Sequence, residues 1–195
     1  MKKFARITGT GSYLPPKIVT NFDLEKTLET SDEWIRARTG IKERRIVTDQ
    51  NTCDLALEAS IKALSMAELK PEDIDLIILS TTTPDKIFPA TATMLQDRLG
   101  ATCPAFDLQA VCAGFVFALT TAQQYIENGS AKNILVVGSE IMSKIVDWND
   151  RSTAIIFGDG AGAVVVSSDN TTGIKHSKLY SDGSYMSSLH VNNDR

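Results

Sequence analysis

The sequence predicts an α/β fold built on a mainly parallel sheet, and three observations carry that prediction. Short apolar runs bounded by turn residues alternate along the chain with longer stretches of helical periodicity, the order expected of strand–helix–strand units. One of the runs, Asp75 to Thr82 (DLIILSTT), is nearly continuous in its apolar character, as a buried strand should be. No linker, repeat or low-complexity segment divides the chain.

In order, Phe4 to Gly11 reads as a first strand. Thr30 to Gly40 reads as a helix of about two turns, with Thr30 and Glu33 at capping-box spacing and Gly40 as its stop. Asn51 to Leu69 is an amphipathic helix, Asp75 to Thr82 the buried strand, and Ala90 to Leu99 a further helix. Pro104 to Leu108 is a short strand, followed by a long helix from Cys112 to Asn128 that meets Gly129. Asn133 to Ser139 is the next strand, Ile155 to Val166 a glycine-punctuated strand pair, and the alternating GIKHSKLY around His176 another strand.

Composition sets wider bounds. Hydrophobic residues make up 43%, charged residues 23%, and the net charge is −4, an ordinary globular balance large enough for one substantial core and without the basic excess of a nucleic-acid binder. There is no apolar run of bilayer length and no sustained apolar core near the amino terminus, which predicts no membrane association and a cytoplasmic location. Cys53, Cys103 and Cys112 have neither metal-ligand spacing nor an even number, so free thiols in a reducing compartment and no metal site are expected. Cys53, in a helix start, and Cys103, before a proline, read as structural.

Cys112 is different because it stands where a strand gives way to a helix, among the small residues Ala110, Ala113 and Gly114. Unpaired N–H groups and the positive end of a helix dipole favour a thiolate there, and the same N–H groups could serve an oxyanion. The competing reading is a small buried hydrophobe. Trp34 and Arg38, four apart on one helix face, place a flat ring beside a guanidinium; taken bare, such a pair is also an ordinary surface contact. GDGAGA, Gly158 to Ala163, lacks the lysine and hydroxyl of a phosphate loop and does not fit GxGxxG, so it reads as close strand packing.

The segment DLQAVCAGF, Asp107 to Phe115, resembles the active-site stretch of the thiolase-like condensing enzymes, in most detail the β-ketoacyl-acyl-carrier-protein synthase III family. ITGTGSYLPPKIVTN, TSDEWIRARTGIKERRI, STTTPDKIFPATA, LVVGSE and DRSTAIIFGDGAGA agree in the family's order, so the resemblance runs from Ile7 to Arg195. It implies one thiolase-like half, a mainly parallel βαβαβ unit with helices on both faces, over residues 1–170, and the truncated start of a second half over 171–195.

The resemblance implies an acyltransferase of fatty-acid initiation that condenses acetyl-CoA or a short acyl-CoA with malonyl-acyl-carrier protein. Cys112 would be the nucleophile. Trp34 and Arg151 would hold the adenine of coenzyme A between them, with Arg38 and Thr30 at its entrance, and Phe88 would cross a homodimer interface to close the partner's acyl pocket. The bare reading of Phe88 is a loop side chain tucked under the helix that follows. Coenzyme A enters as a thioester substrate, and no permanently bound cofactor is expected. The family's catalytic His and Asn match nothing here, since neither His176 nor His190 has the surrounding motif. Two other readings remain at this level: a related condensing enzyme of secondary metabolism, or a non-catalytic half-fold partner. Lys42, Arg44 and Arg45 are carrier-docking candidates by charge alone.

Overall fold

The structure is a computed structural model that describes residues 2–191. Its centre is a five-stranded sheet made of β1 (Phe4–Tyr13), β4 (Leu76–Ser80), β5 (Ala105–Leu108), β6 (Asn133–Ile141) and β7 (Asp159–Asp169), in the order β1-β7-β6-β4-β5. The pairs β4/β5 and β4/β6 are parallel, whereas β7 runs antiparallel to both β6 and β1. β7 alone is therefore reversed, and the other four strands share one direction.

Both faces of this sheet are covered, which explains why its strands read as unbroken apolar runs. Ile77, Leu79, Leu135, Val137 and Val165 face α3 (Thr52–Ala67) and α4 (Thr91–Leu99). The residues between them, Leu76, Ile78, Ile134, Val136, Val164 and Val166, face Ala118, Ala122 and Ile126 of α5 (Gly114–Glu127). The glycines of ITGTGSY have a packing cause. A Cβ on Gly9 would fall on the carbonyl oxygen of Ala63, and one on Gly11 on that of Ala59, so α3 lies directly on the β1 backbone.

A smaller layer sits to one side. β2 (Lys17–Thr20) and β3 (Glu43–Ile46) form an antiparallel ribbon. With α1 (Asn21–Leu24), α2 (Asp32–Thr39) and α6 (Arg151–Ala154) it surrounds a separate core of Leu24, Leu28, Ile35, Ala154 and Ile155. The ribbon and the two four-residue helices are too short to show a hydrophobic period, and the sequence reading passed over them.

Several expectations are corrected. The cap of α2 is Ser31, whose hydroxyl accepts from the Trp34 N–H at 3.1 Å, so the helix begins one residue later than a Thr30 cap would place it. The strand pair predicted over Ile155 to Val166 is the end of α6 followed by the single strand β7; its glycines serve close packing along that strand rather than a turn between two. The stretch around His176 forms no strand. Only the Ile174 N–H reaches the β1 edge, donating to the Ala5 carbonyl at 2.8 Å. His176 and His190 are exposed, and residues 192–195 of the expected second-half segment lie outside the described residues.

Candidate active site

Cys112 lies not in α5 but in the 3₁₀ turn Val111–Ala113 that joins β5 to it. The turn is made abrupt by Val111, which has φ of 49°, a left-handed conformation that a β-branched residue adopts only under strain. Directly after it, Gly114 allows α5 to press onto β4, because a Cβ there would overlap the Ser80 hydroxyl. The result is an exposed thiol, in contrast to the buried Cys53 and Cys103, whose thiols burial pushes up from their ordinary value. The reading of Cys112 as a buried hydrophobe is thereby removed.

The oxyanion expectation needs revision. The Ala113 N–H already donates to the Ala110 carbonyl and the Gly114 N–H to that of Val111. The Cys112 N–H has no backbone acceptor among the described residues and is a donor left at this junction.

Cys112 opens on a cavity of about 390 Å³. Its walls come from the carboxyl ends of β4 and β6 and the start of β7, with Ser80, Thr82, Gly138, Ser139, Glu140 and Gly160 among the lining residues, the end of a parallel sheet where ligands bind. Glycines on two strands keep the floor low. Glu140, which ends the LVVGSE run, accepts from the Thr82 N–H at 2.8 Å, the Thr83 N–H at 3.1 Å and the Thr83 hydroxyl at 2.6 Å. Burial nevertheless pushes its carboxyl above the ordinary carboxylate value, against the pull of these donors. Asp159, beneath the same wall, is fully engaged by the Val47 N–H and by the N–H and hydroxyl of Ser143, so it fastens the turn into β7.

The second constellation forms on the smaller layer. The Trp34 ring has the Arg38 guanidinium 4.7 Å from its centre and that of Arg151 at 4.8 Å. Arg151 also donates to the Glu29 carbonyl at 3.0 Å, next to Thr30, whose buried hydroxyl has no partner among the described residues. The structure thus brings together Trp34, Arg38, Arg151 and the neighbourhood of Thr30, though 113 positions separate Arg38 from Arg151. Phe88 is not tucked under α4. It is 82% exposed beside Ile87 at 98%, on a loop whose end is held by Asp107, which accepts from the Thr91 and Ala92 N–H groups at the start of that helix.

Among the basic residues Lys42, Arg44 and Arg45, Arg44 is excluded from any surface role because it is only 5% exposed. Sequence reasoning missed Val111 and Glu140. Nothing in a valine announces a left-handed conformation, whereas a carboxyl closing the apolar run LVVGS was a usable signal.

A mostly parallel sheet sandwiched by helices, with an exposed cysteine at a strand-to-helix junction over a cavity, defines a thiolase-like condensing-enzyme fold. Residues 106–183 match the family model for 3-oxoacyl-[acyl-carrier-protein] synthase III. The chain is 66% identical over 194 residues to the β-ketoacyl-[acyl-carrier-protein] synthase III of Vesicomyosocius okutanii, covering 100% of this chain and 62% of that protein. It is 59% identical over 192 residues to the enzyme of the same name from Neisseria meningitidis serogroup A, covering 97% and 60%. The crystal structure of the Thermus thermophilus synthase III superposes with a TM-score of 0.93 at 43% identity, over 97% of this chain and 60% of that one. The chain is similar along nearly its whole length to β-ketoacyl-[acyl-carrier-protein] synthases III, and it spans about three fifths of the length of these relatives.

Proposed function

We propose that this chain carries the nucleophile and the coenzyme A-facing side of a β-ketoacyl-acyl-carrier-protein synthase III, which joins acetyl-CoA or a short acyl-CoA to malonyl-acyl-carrier protein. The observation that carries the proposal is the exposed Cys112 thiol on its strained turn over the cavity. The thiolate attacks the primer's thioester carbonyl, a sulfur–carbon bond forms, and the tetrahedral oxyanion collapses with expulsion of the coenzyme A thiolate, which takes up a proton. The Cys112 N–H is a local donor available to that oxyanion.

In the second half-reaction the malonyl group loses carbon dioxide. The carbanion left behind attacks the acyl-enzyme, and the cysteine thiolate departs as the β-ketoacyl-carrier product forms. The His and Asn that the family resemblance implies for this step match no residue of the chain, so condensation requires sequence beyond these 195 residues. The end of β7 at Asp169 supports a division into a first half, residues 1–170, and the opening of a second. The exposed Phe88 supports its role at a homodimer interface. Thr30, Trp34, Arg38 and Arg151 face coenzyme A in this reading, which enters as substrate rather than as a resident cofactor, and the enzyme works in the cytoplasm. No helix among the described residues is long and apolar enough to cross a membrane.

Intact-mass measurement after brief exposure to acetyl-CoA tests the proposal. An acetyl adduct absent from Cys112→Ala is expected; an adduct that persists in that variant, or none in the unsubstituted chain, counts against it.

A further inference from the structure

Arg44 is a buried guanidinium with no carboxylate partner among the described residues, a costly arrangement unless it accomplishes something. Its acceptors belong to three different segments. Nη1 donates to the Val19 carbonyl of β2 at 3.2 Å, and Nη2 donates at 3.0 Å both to the Asn21 side-chain oxygen and to the carbonyl of Ile155, the residue that ends α6. Burial lowers the guanidinium's pKa from its ordinary value, as expected where only neutral oxygens compensate.

Asn21, itself fully buried, extends the connection. Its amide nitrogen donates to Asp32 Oδ1 at 2.9 Å and to the Ile41 carbonyl at 2.7 Å. Asp32 is the first residue of α2, and Ile41 follows Gly40, which ends it. One amide thus holds both ends of the helix that carries Trp34 and Arg38, while the guanidinium bonded to it holds the end of the four-residue helix that carries Arg151. Gly158 permits the close fit, since a Cβ there would stand 3.1 Å from the Arg44 Cβ and 3.2 Å from the Arg45 carbonyl oxygen.

We infer that Arg44, through Asn21, is a positioning residue that fixes the helices carrying Trp34 and Arg151 relative to one another, so that the two side chains can take the adenosine end of coenzyme A between them. This rests on the coenzyme A reading given above. A lysine cannot take its place, because an ammonium on a flexible stem cannot span fixed acceptors on three segments as a planar fork does.

The experiment measures dissociation constants of the chain for coenzyme A and for 4′-phosphopantetheine, which lacks the adenosine end, together with the rate at which iodoacetamide alkylates Cys112. In Arg44→Lys, coenzyme A binding weakens about tenfold, while phosphopantetheine binding and alkylation stay within twofold. Asn21→Ala, which leaves Arg44 its other two acceptors, shifts coenzyme A in the same direction by less and guards against a lysine variant that fails to fold. Equal weakening for both ligands, or altered alkylation, shows a merely structural role and overturns the inference. So does unchanged coenzyme A binding in both variants while Trp34→Ala still weakens it. If the unsubstituted chain does not bind coenzyme A, or if Trp34→Ala leaves binding intact, the coenzyme A reading fails and the inference falls with it.

Discussion

The Arg151 guanidinium stands 4.8 Å from the centre of the Trp34 ring, too close for another flat ring to lie between them. A sandwiched base needs about 3.5 Å on each side, or about 7 Å in all, so a ligand entering there has to displace Arg151 and break its bond to the Glu29 carbonyl. Two opposing effects follow for Arg151→Ala. The variant removes the contact to be broken but also the cation that would cover the base, and the second is the larger because a desolvated cation–π contact is worth about 2 kcal/mol. Coenzyme A binding should weaken roughly tenfold to thirtyfold on that basis. Titration calorimetry checks this; equal or tighter binding would show that Arg151 only blocks the ring.

Gly114→Ala tests the contact between β4 and α5. The added Cβ would overlap the Ser80 hydroxyl, and overpacking of this kind costs about 1–3 kcal/mol. Ser80→Ala removes the oxygen and leaves a Cβ 3.3 Å away, so the double variant should recover most of the loss in urea denaturation. Additive losses would place the strain elsewhere.

The sheet was legible because burial on both faces writes itself into sequence as unbroken apolar runs such as LIILS and ILVV. Cys112 was legible for a different reason: small residues at a change of period are rare enough to notice. The α2 cap was misplaced because the capping-box spacing of Thr30 and Glu33 pointed to Thr30, whereas the stronger cap type, Ser31, takes the Trp34 N–H. Arg44 illustrates the remaining gap. Charge placed it with Lys42 and Arg45 on a surface, but its acceptors Val19, Asn21 and Ile155 converge only after folding.

Val111→Gly tests the strained turn before the nucleophile. A left-handed β-branched residue costs about 1–3 kcal/mol, and glycine adopts the same φ of 49° freely. The variant should be more stable, by about 1 kcal/mol after allowance for the greater entropy of its unfolded chain. Alkylation of Cys112 should slow, since the thiol is held less narrowly toward the cavity. Lower stability in urea denaturation would contradict the strain.

Glu140 predicts a pH dependence whose sign can be worked out. Its folded pKa lies above the ordinary value of 4.5 because burial outweighs the donors from Thr83, Thr82 and Thr81. A carboxyl with a raised folded pKa binds its proton more tightly in the folded state. The resulting stabilisation is fully present below the unfolded pKa and is lost as pH rises through the folded one. The Asp150, Asp169 and Asp182 carboxyls, all lowered by hydrogen bonds, act oppositely at more acid pH, so the net profile hides the effect of Glu140. Comparison with Glu140→Gln isolates it, because that side chain does not titrate and the three aspartates are common to both proteins. The stability of the unsubstituted chain relative to the variant should fall as pH rises above 4.5, even though Gln is the poorer acceptor for the paired N–H groups of Thr82 and Thr83. Urea midpoints of both proteins from pH 4 upward measure this; a difference constant with pH would mean that the hydrogen bonds cancel burial at this carboxylate, and one that grows that they outweigh it.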